Sequence, residues 1–188
     1  MTIGVNFFKI PIETARKLVE EKTLLEEIEQ KLSIKVEVDP EGGGVKVIYE
    51  PQRAENFLLM KKVFDALNAG FYEEVHELLA NENYDIEVID LTEYVGKSKN
   101  DLVRIKGRII GEKGKAKANV ESYTKCKLSI YENRVGILGP SEFTVLAKEA
   151  VEKLIKGYQH STVYKFLDSK LRRMKEDRKL WESENTLK

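Results

Sequence analysis

The chain has 188 residues and a mass of 21.6 kDa, which allows one domain or two small ones, and its 41% of hydrophobic residues favours a folded core over disorder. No apolar run approaches the roughly 20 residues that a membrane-spanning helix needs, and the first residues lack a signal-peptide pattern, so we expect neither an anchor nor a leader. The single cysteine, Cys126, and the widely separated His76 and His160 predict no disulfide, no metal site and no cofactor, and they fit a reducing cytoplasm.

The zero net charge of the whole chain hides two halves of opposite charge. Residues 1–96 contain 10 Lys and Arg against 20 Asp and Glu, and residues 97–188 contain 22 against 12, so the halves carry −10 and +10. The basic half suggests contact with a polyanion, and the acidic half suggests a different partner. The alternative is two solvated domains whose opposite charges carry no functional meaning.

The first half predicts the element order β-α(α)-β-β-α. Alternating apolar and polar residues indicate strands, and apolar residues every three or four positions indicate helices. These elements are, in chain order, a strand at residues 5–10, one long helix or two short ones over 12–32, strands at 34–38 and 45–49 joined by a glycine-rich hairpin, and a helix that starts near Pro51 and ends at Gly70.

The second half predicts the same order again. Its elements are a strand at residues 86–89, a helix at 100–110, a break at 111–114, a helix at 115–124, strands at 127–131 and 135–138, and a helix at 140–154. A repeat this long indicates duplicated domains rather than a solenoid. Val75, Leu78 and Leu79 predict a small linking helix between the two units.

Residues 162–181 predict a basic amphipathic helix at the C-terminal end of the sequence. Val163, Phe166 and Leu167 begin its apolar face, and lysines and arginines fill the rest. Such a helix either packs on its own domain with a solvated basic face or contacts RNA or a membrane surface.

A Gly-x-x-Gly turn between two predicted helices is the main candidate site. Gly111 and Gly114 allow another backbone to pass close to the turn, and the first amides of the next helix favour phosphate. Cations surround the turn at Arg108, Lys113, Lys115 and Lys117, and the apolar Ile109 and Ile110 precede it. A sugar-phosphate chain could therefore lie across it.

Two other phosphate-binding motifs fail on spacing. A Walker A loop needs Ser or Thr after Gly-Lys, but Ala116 follows Gly114 and Lys115, and Ile109 stands where the first glycine belongs. The dinucleotide-binding motif needs Gly-x-Gly-x-x-Gly directly after a strand, whereas the glycines here follow a helix at other spacings.

The segment Ile109-Ile110-Gly111-Glu112-Lys113-Gly114, in this order of elements, resembles a KH domain, whose GxxG loop clamps about four nucleotides. A longer match resembles the two-KH small-subunit ribosome assembly factors of archaea and eukaryotes known as partner of Nob. That match comprises residues 107–117, the strand Val135-Gly136-Ile137-Leu138-Gly139, and Val163-Tyr164 leading into Leu171-Arg172-Arg173-Met174.

The resemblance implies an α+β fold of two tandem type I KH-like domains, each a three-stranded antiparallel sheet packed against helices, plus a C-terminal helix. We expect a degenerate KH-like domain over residues 1–70, a linking helix over 71–84, a KH domain over 85–160 and a basic helix and tail over 161–188. The first unit has no glycine where its loop should fall, and Glu20 and Glu21 there would repel phosphate. That unit is therefore expected to lack the RNA clamp and to act as a scaffold or a protein-binding surface, with a purely supportive domain as the alternative.

In this interpretation single-stranded RNA crosses the loop, and its bases face a groove between the loop helices and the strand at 127–131. Ile109, Ile110, Ala118 and Leu128 are candidates for the apolar floor, and the backbone of Ser129 and Ile130 is a candidate for reading base edges. The predicted RNA-binding residues are Arg108, Ile109, Ile110, Gly111, Glu112, Lys113, Gly114, Lys115, Lys117, Ala118, Leu128, Ser129 and Ile130.

The resemblance further implies a role in late small-subunit maturation, with binding near the 3′ end of the small-subunit rRNA. The implied partners are a separate maturation endonuclease of the Nob family and, in archaea, the alpha subunit of translation initiation factor two; no membrane is involved.

The alternatives are an enzyme and a protein-binding adaptor of translation or RNA processing, with only non-specific RNA affinity or none. His76 has acidic neighbours but no second histidine nearby, so an exposed helix position is favoured over a base or a metal ligand. Cys126 precedes an apolar strand and is expected to be buried rather than nucleophilic. No catalytic set emerges, and a binding protein rather than an enzyme is predicted.

Overall fold

The computed structural model describes residues 3–50 and 54–185, and within them two units repeat one order of strands and helices. The elements of the first unit are β1 Gly4–Lys9, α1 Ile12–Glu21, α2 Thr23–Leu32, β2 Lys35–Val38, β3 Gly44–Tyr49 and α3 Ala54–Asn68, and α4 Val75–Ala80 links the units. Pro51, the expected helix start, lies outside the described residues.

The second unit has its own strands and helices and is followed by a long terminal helix. Its elements are β4 Tyr84–Asp90, α5 Thr92–Val95, α6 Lys99–Ile110, a short 3-10 turn Glu112–Gly114, α7 Lys115–Thr124, β5 Lys127–Tyr131, β6 Arg134–Pro140 and α8 Ser141–Ile155, and the terminal helix is α9 His160–Asn185.

Apart from shifts of one or two residues at the ends of elements, the structure decides one choice that the sequence left open and differs from the expectation in two further details. The segment over 12–32 forms two helices because Lys22 adopts a left-handed conformation, with φ of 56°. The four-residue α5 was not predicted, since it is too short to show a period. The terminal helix begins at His160 rather than at residue 162, because Gln159 already accepts the first hydrogen bonds of the helix.

Each unit contains an antiparallel sheet whose last strand in sequence lies in the centre, in the orders β1-β3-β2 and β4-β6-β5. The two units also share one equivalent side-chain contact. Glu29 accepts a hydrogen bond from the amide of Val36 at 2.7 Å, and Glu121 accepts one from the amide of Leu128 at 2.8 Å. In both units a carboxylate from the helix that precedes the edge strand therefore binds that strand, in agreement with the predicted α+β duplication.

The outer face of the second sheet packs against the first unit. Ile86 and Val88 of β4 contact the core of the first unit. Gly136 of β6 lies so close to it that a Cβ atom there would stand 2.6 Å from the Cβ of Ala69 and 2.7 Å from the ring of Phe71. The glycine is therefore required by close packing between the units.

The terminal helix α9 is attached through its N-terminal half. Val163 and Leu167 are fully buried in the core of the second unit, and Leu171 and Met174 pack against it. Residues 175–183 are exposed. The first half of α9 therefore packs on its own unit, which is one of the two alternatives that the sequence left open.

Candidate nucleic-acid interface

The loop between α6 and α7 has a backbone conformation that its glycines make accessible. Gly111, Lys113 and Gly114 have φ angles of 72°, 53° and 80°. A side chain at Gly111 would place its Cβ 2.6 Å from the Cβ of Ala116 and 2.8 Å from the Ala116 amide nitrogen. Gly111 is therefore needed both for its positive φ and for the close approach of the loop to α7.

The N-terminal end of α7 faces the loop without a side-chain cap. Its N-cap residue is Gly114, which has no side chain to accept hydrogen bonds from the first amides. Those amides and the positive end of the helix dipole favour an anion. The Lys115 amide donates to the Glu112 carbonyl, and the side chains of Lys113 and Lys115 are exposed, so the loop combines a helix N-terminus with accessible positive charge.

One face of α6 extends this surface away from the loop. Val103, Gly107 and Ile110 occupy positions i, i+4 and i+7, so they form one stripe, and all three are exposed. Lys106 borders the stripe, and its ammonium group lies 3.5 Å from the side-chain oxygen of Asn133 in the β5–β6 hairpin. The Lys106 side chain thus reaches from α6 to the second sheet, and the surface between this stripe and β5 is called the groove below.

The edge strand β5 forms the other side of the groove. The N–H and C=O groups of its successive residues point alternately toward β6 and toward the open edge of the sheet. The amide of Leu128 points outward, where it donates to Glu121 at 2.8 Å. Since successive residues of an antiparallel strand alternate in this respect, Ile130 directs its amide and carbonyl to the open edge and Ser129 directs its own toward β6. Of the two backbone positions predicted to read bases, only Ile130 therefore faces the groove.

The structure separates the four residues predicted to line the apolar floor. Ile110 and Ala118 are exposed, whereas Ile109 is fully buried and Leu128 is 4% exposed, both in the core of the second unit. Ile109 lies on the buried face of α6 with Leu102 and Ile105. The placement of Ile109 and Leu128 in the groove is thus corrected, because their side chains are used in packing.

The cationic residues around the loop also differ from one another. Lys113 and Lys115 extend into solvent, while the ammonium group of Lys117 lies 2.8 Å from the carboxylate of Glu121. The Arg108 guanidinium does not point into solvent: it donates to the carbonyl of Leu154 at 3.1 Å and to that of Tyr158 at 2.7 Å. Direct contact with phosphate is therefore most accessible to Lys113 and Lys115.

Two groove residues were missed at the sequence level, Val103 and Gly107. Gly107 stands inside a helix, where glycine is unfavourable, and apart from its chain neighbours and the nearby backbone of α6 nothing described lies within 4 Å of its Cβ position. A glycine in a helix without a packing reason is the signal that could have identified it.

The alternative sites take ordinary structural roles. His76 is partly exposed on α4 and contacts the carboxylate of Glu27. Cys126 is buried, and burial raises the pKa of its thiol to about 11, which disfavours the reactive thiolate. Across residues 3–50 and 54–185 no group of three or more His, Cys, Asp or Glu side chains is placed to hold a metal ion, and no helix is long and apolar enough to cross a membrane.

The first unit has a different connection at the place equivalent to the loop. Lys22 alone joins α1 to α2. Glu20 and Glu21, which end α1, are exposed beside it. The four-residue turn with its two glycines therefore occurs in the second unit and not at this place of the first.

The two repeated sheets, their helices and the Gly-x-x-Gly loop define a protein with two KH-type units. Residues 85–172 match a family model described as a eukaryotic-type KH domain (KH-domain type I). A KH domain-containing protein of Methanocaldococcus jannaschii is 35% identical over 187 residues, which cover 97% of this chain and 81% of that protein.

Solved structures agree with these matches. The crystal structure of Dim2p from Pyrococcus horikoshii is 30% identical, with a TM-score of 0.76 over 88% of this chain and 99% of that one. A crystal structure of the a/eIF2alpha–aDim2p–rRNA complex from the same organism is 28% identical, with a TM-score of 0.78 over 92% of this chain and 97% of the matched chain. The chain belongs to the Dim2/PNO1 family of KH-domain proteins.

The eukaryotic members are longer. The pre-rRNA-processing protein PNO1 of Candida albicans is 31% identical over 112 residues, and this chain covers 41% of its length. The chain therefore spans less than half of that relative, whereas it covers most of the archaeal ones.

Proposed function

We propose that this protein is a ribosome assembly factor of the cytoplasm that binds single-stranded RNA near the 3′ end of the small-subunit rRNA, through the GxxG loop of its second KH unit, during late maturation. Membership in the Dim2/PNO1 family supports an RNA-binding factor of pre-rRNA processing, since a relative was crystallised with rRNA and others are named for that process. The domain division at residues 1–70, 71–84, 85–160 and 161–188 is part of the same proposal.

One observation carries the proposal. The Gly111–Gly114 loop exposes an uncapped helix N-terminus, flanked by Lys113 and Lys115, at the end of a groove. Backbone amides and mobile cations suit the phosphates of a flexible strand. The groove suits unstacked bases, because one side is apolar and the other side offers backbone groups.

In this arrangement each part of the groove has its own role. The loop and its lysines hold phosphates, Ile110 and Ala118 contact the faces of bases, and the backbone of Ile130 accepts or donates hydrogen bonds to one base edge. Ile109 and Leu128 act from the core by fixing α6 and β5 in place. Recognition through unpaired bases predicts that duplex RNA binds more weakly.

The proposal is tested by fluorescence anisotropy with a labelled oligonucleotide that copies the 3′ end of the small-subunit rRNA. The double variant Glu112→Asp/Lys113→Asp adds negative charge to the exposed loop and should abolish binding. The matched control Lys175→Asp/Glu176→Asp makes the same charge change on exposed α9 and should bind almost like wild type. Wild-type affinity should fall with salt at a slope of about −0.7 per phosphate contact.

Equal binding by wild type and the loop variant would refute the loop as the site. Loss of binding only in the α9 control would move the site to the basic helix. No binding by any of the three proteins would favour a protein-only adaptor.

We further propose two protein partners for the same role, the alpha subunit of translation initiation factor two and a maturation endonuclease of the Nob family. The first is supported by the complex in which the Pyrococcus horikoshii relative was crystallised. The second rests on the resemblance of the sequence to partner of Nob. Both are testable by calorimetric titration of the purified proteins with and without the oligonucleotide.

A second candidate function, a protein-binding adaptor, is favoured by the outer face of the first sheet. Val5 and Phe7 of β1 are 43% and 76% exposed. Ile48 of β3 pairs with Val5 and so shares its face. Phe7→Lys should weaken binding of the alpha subunit and leave RNA affinity unchanged if this face is used. Unchanged binding of the alpha subunit would exclude the face.

A further inference from the structure

The C-terminal ends of α6 and α8 are joined by side chains that bind carbonyl groups at or just beyond each end, and one of these carbonyls, that of Leu154, also accepts from the Gly157 amide. The last four carbonyls of a helix lack intrahelical donors. Side chains with N–H groups at a helix C-terminus satisfy them and interact favourably with the negative end of the dipole. In this protein the side chains come from the neighbouring elements.

Arg108, in the last turn of α6, binds carbonyl groups at the C-terminal end of α8 and in the turn that follows it. Its Nε donates to the carbonyl of Leu154 at 3.1 Å, and its terminal nitrogen donates to the carbonyl of Tyr158 at 2.7 Å. A guanidinium can make both bonds at once because its donors are fixed in a fork. The side chain therefore ties the last turn of α6 to the turn between α8 and α9.

His160, the first residue of α9, binds a carbonyl group in the last turn of α6. Its Nε2 lies 2.9 Å from the carbonyl oxygen of Arg108 and acts as the donor, since a carbonyl only accepts. The backbone of Arg108 stands three residues before Gly111, where the RNA loop begins. The buried Val163 and Leu167 anchor α9 in the core, so His160 is held on a rigid element.

We propose that these three contacts, called here the Arg108–His160 clasp, hold the Gly111–Gly114 loop in its RNA-binding conformation. Arg108 and His160 are then positioning residues that act through the loop, and α9 contributes to RNA affinity without touching RNA. This inference rests on the proposed function, because it names how the same site is held. It also gives Arg108 a role different from that of a phosphate ligand.

The two roles of Arg108 predict different behaviour of conservative variants. A phosphate ligand needs positive charge, which lysine supplies, whereas the clasp needs two donors in a fork, which lysine lacks. Arg108→Lys should therefore weaken RNA binding by about tenfold and leave the slope of affinity against salt unchanged, as no phosphate contact is lost. Arg104, exposed and paired with Asp101 on the same helix, provides the matched control Arg104→Lys, which should bind like wild type.

His160 supplies an independent pair of variants. Glutamine can place an N–H close to the position of Nε2, so His160→Gln should retain most of the affinity, and His160→Leu should lose about as much as Arg108→Lys. Hydrogen exchange of the RNA-free proteins provides a direct readout of the loop. In Arg108→Lys and His160→Leu, amides of residues 111–116 should exchange faster, while amides of β6 and α8 stay as protected as in wild type.

The result that overturns the clasp is wild-type affinity and unchanged loop exchange in both Arg108→Lys and His160→Leu. A salt slope that becomes shallower by about 0.7 in Arg108→Ala, with binding rescued by Arg108→Lys, would show a direct phosphate contact instead. Failure of the proposed function has a different signature, because the Glu112→Asp/Lys113→Asp variant would then bind as well as wild type.

Discussion

Replacing Gly107 by alanine should stabilise the fold and weaken RNA binding at the same time. Glycine inside a helix is less stable than alanine by about 0.5–1 kcal/mol. Apart from its chain neighbours and the nearby backbone of α6, no described atom lies within 4 Å of the Cβ position, so the new methyl group meets no steric resistance from other elements. For a chain of this size the midpoint of thermal unfolding should rise by about 2 °C.

The methyl group of Gly107→Ala would project from the exposed stripe of α6 into the groove. If RNA packs directly on that stripe, the clash resembles overpacking, which costs about 1–3 kcal/mol and corresponds to roughly a tenfold loss of affinity. Urea denaturation and fluorescence anisotropy measure the two effects separately. Ser169→Ala, at an exposed position of α9, is the control for helix propensity: it should raise stability by about 0.5 kcal/mol and leave RNA affinity unchanged. A variant that is more stable and binds RNA as tightly as wild type would refute the groove at α6.

Three further predictions, two of them substitutions, concern the packing and the titrating groups. Gly136→Ala should destabilise the protein by about 1–3 kcal/mol, because its methyl group would collide with Phe71 between the units; wild-type stability in urea would contradict this packing. The Cys126 thiol, whose pKa burial raises to about 11, should react with a thiol reagent at pH 8 only after unfolding, and rapid labelling of the folded protein would contradict its burial. Hydrogen bonds from the hydroxyl and amide of Thr92 lower the pKa of Asp90. The stability from this carboxylate is therefore present above its unfolded pKa and lost as pH falls through the folded value. Asp90→Asn should be less stable than wild type by about 1 kcal/mol at pH 7, and its free energy of unfolding should fall less than that of wild type below pH 4. Free energies of unfolding that change in parallel with pH in the two proteins would refute the role of Asp90.

The order of elements in both units was predictable because the apolar periods differ clearly between strands and helices. Periodicity also located the break at Gly111 and the full lengths of α7 and β5, where the turn residues are unambiguous. It missed α5, since four residues cannot show a helical period. It also did not decide between one helix and two around Lys22, because a single left-handed residue leaves the apolar spacing almost unchanged.

The candidate site was predictable as a loop and only partly as a set of side chains. Two adjacent isoleucines precede Gly111, and the sequence does not say that Ile109 faces the core while Ile110 faces solvent. The role of Arg108 depends on carbonyls 46 and 50 positions away, and local pattern contains no information on contacts at that range. Leu128 was misplaced for a similar reason, since the face of β5 that is buried depends on the helices above it.

The most direct test of the account is a hydrogen-exchange footprint of the wild-type protein with the rRNA 3′-end oligonucleotide. The account predicts new protection at residues 107–117 and at 128–131, the two sides of the groove, and little change at residues 175–183 of α9. The Glu112→Asp/Lys113→Asp variant should lose this protection at the same oligonucleotide concentration. Protection confined to the exposed half of α9 or to the first unit, with none at the Gly111–Gly114 loop, would contradict RNA binding through the second KH unit.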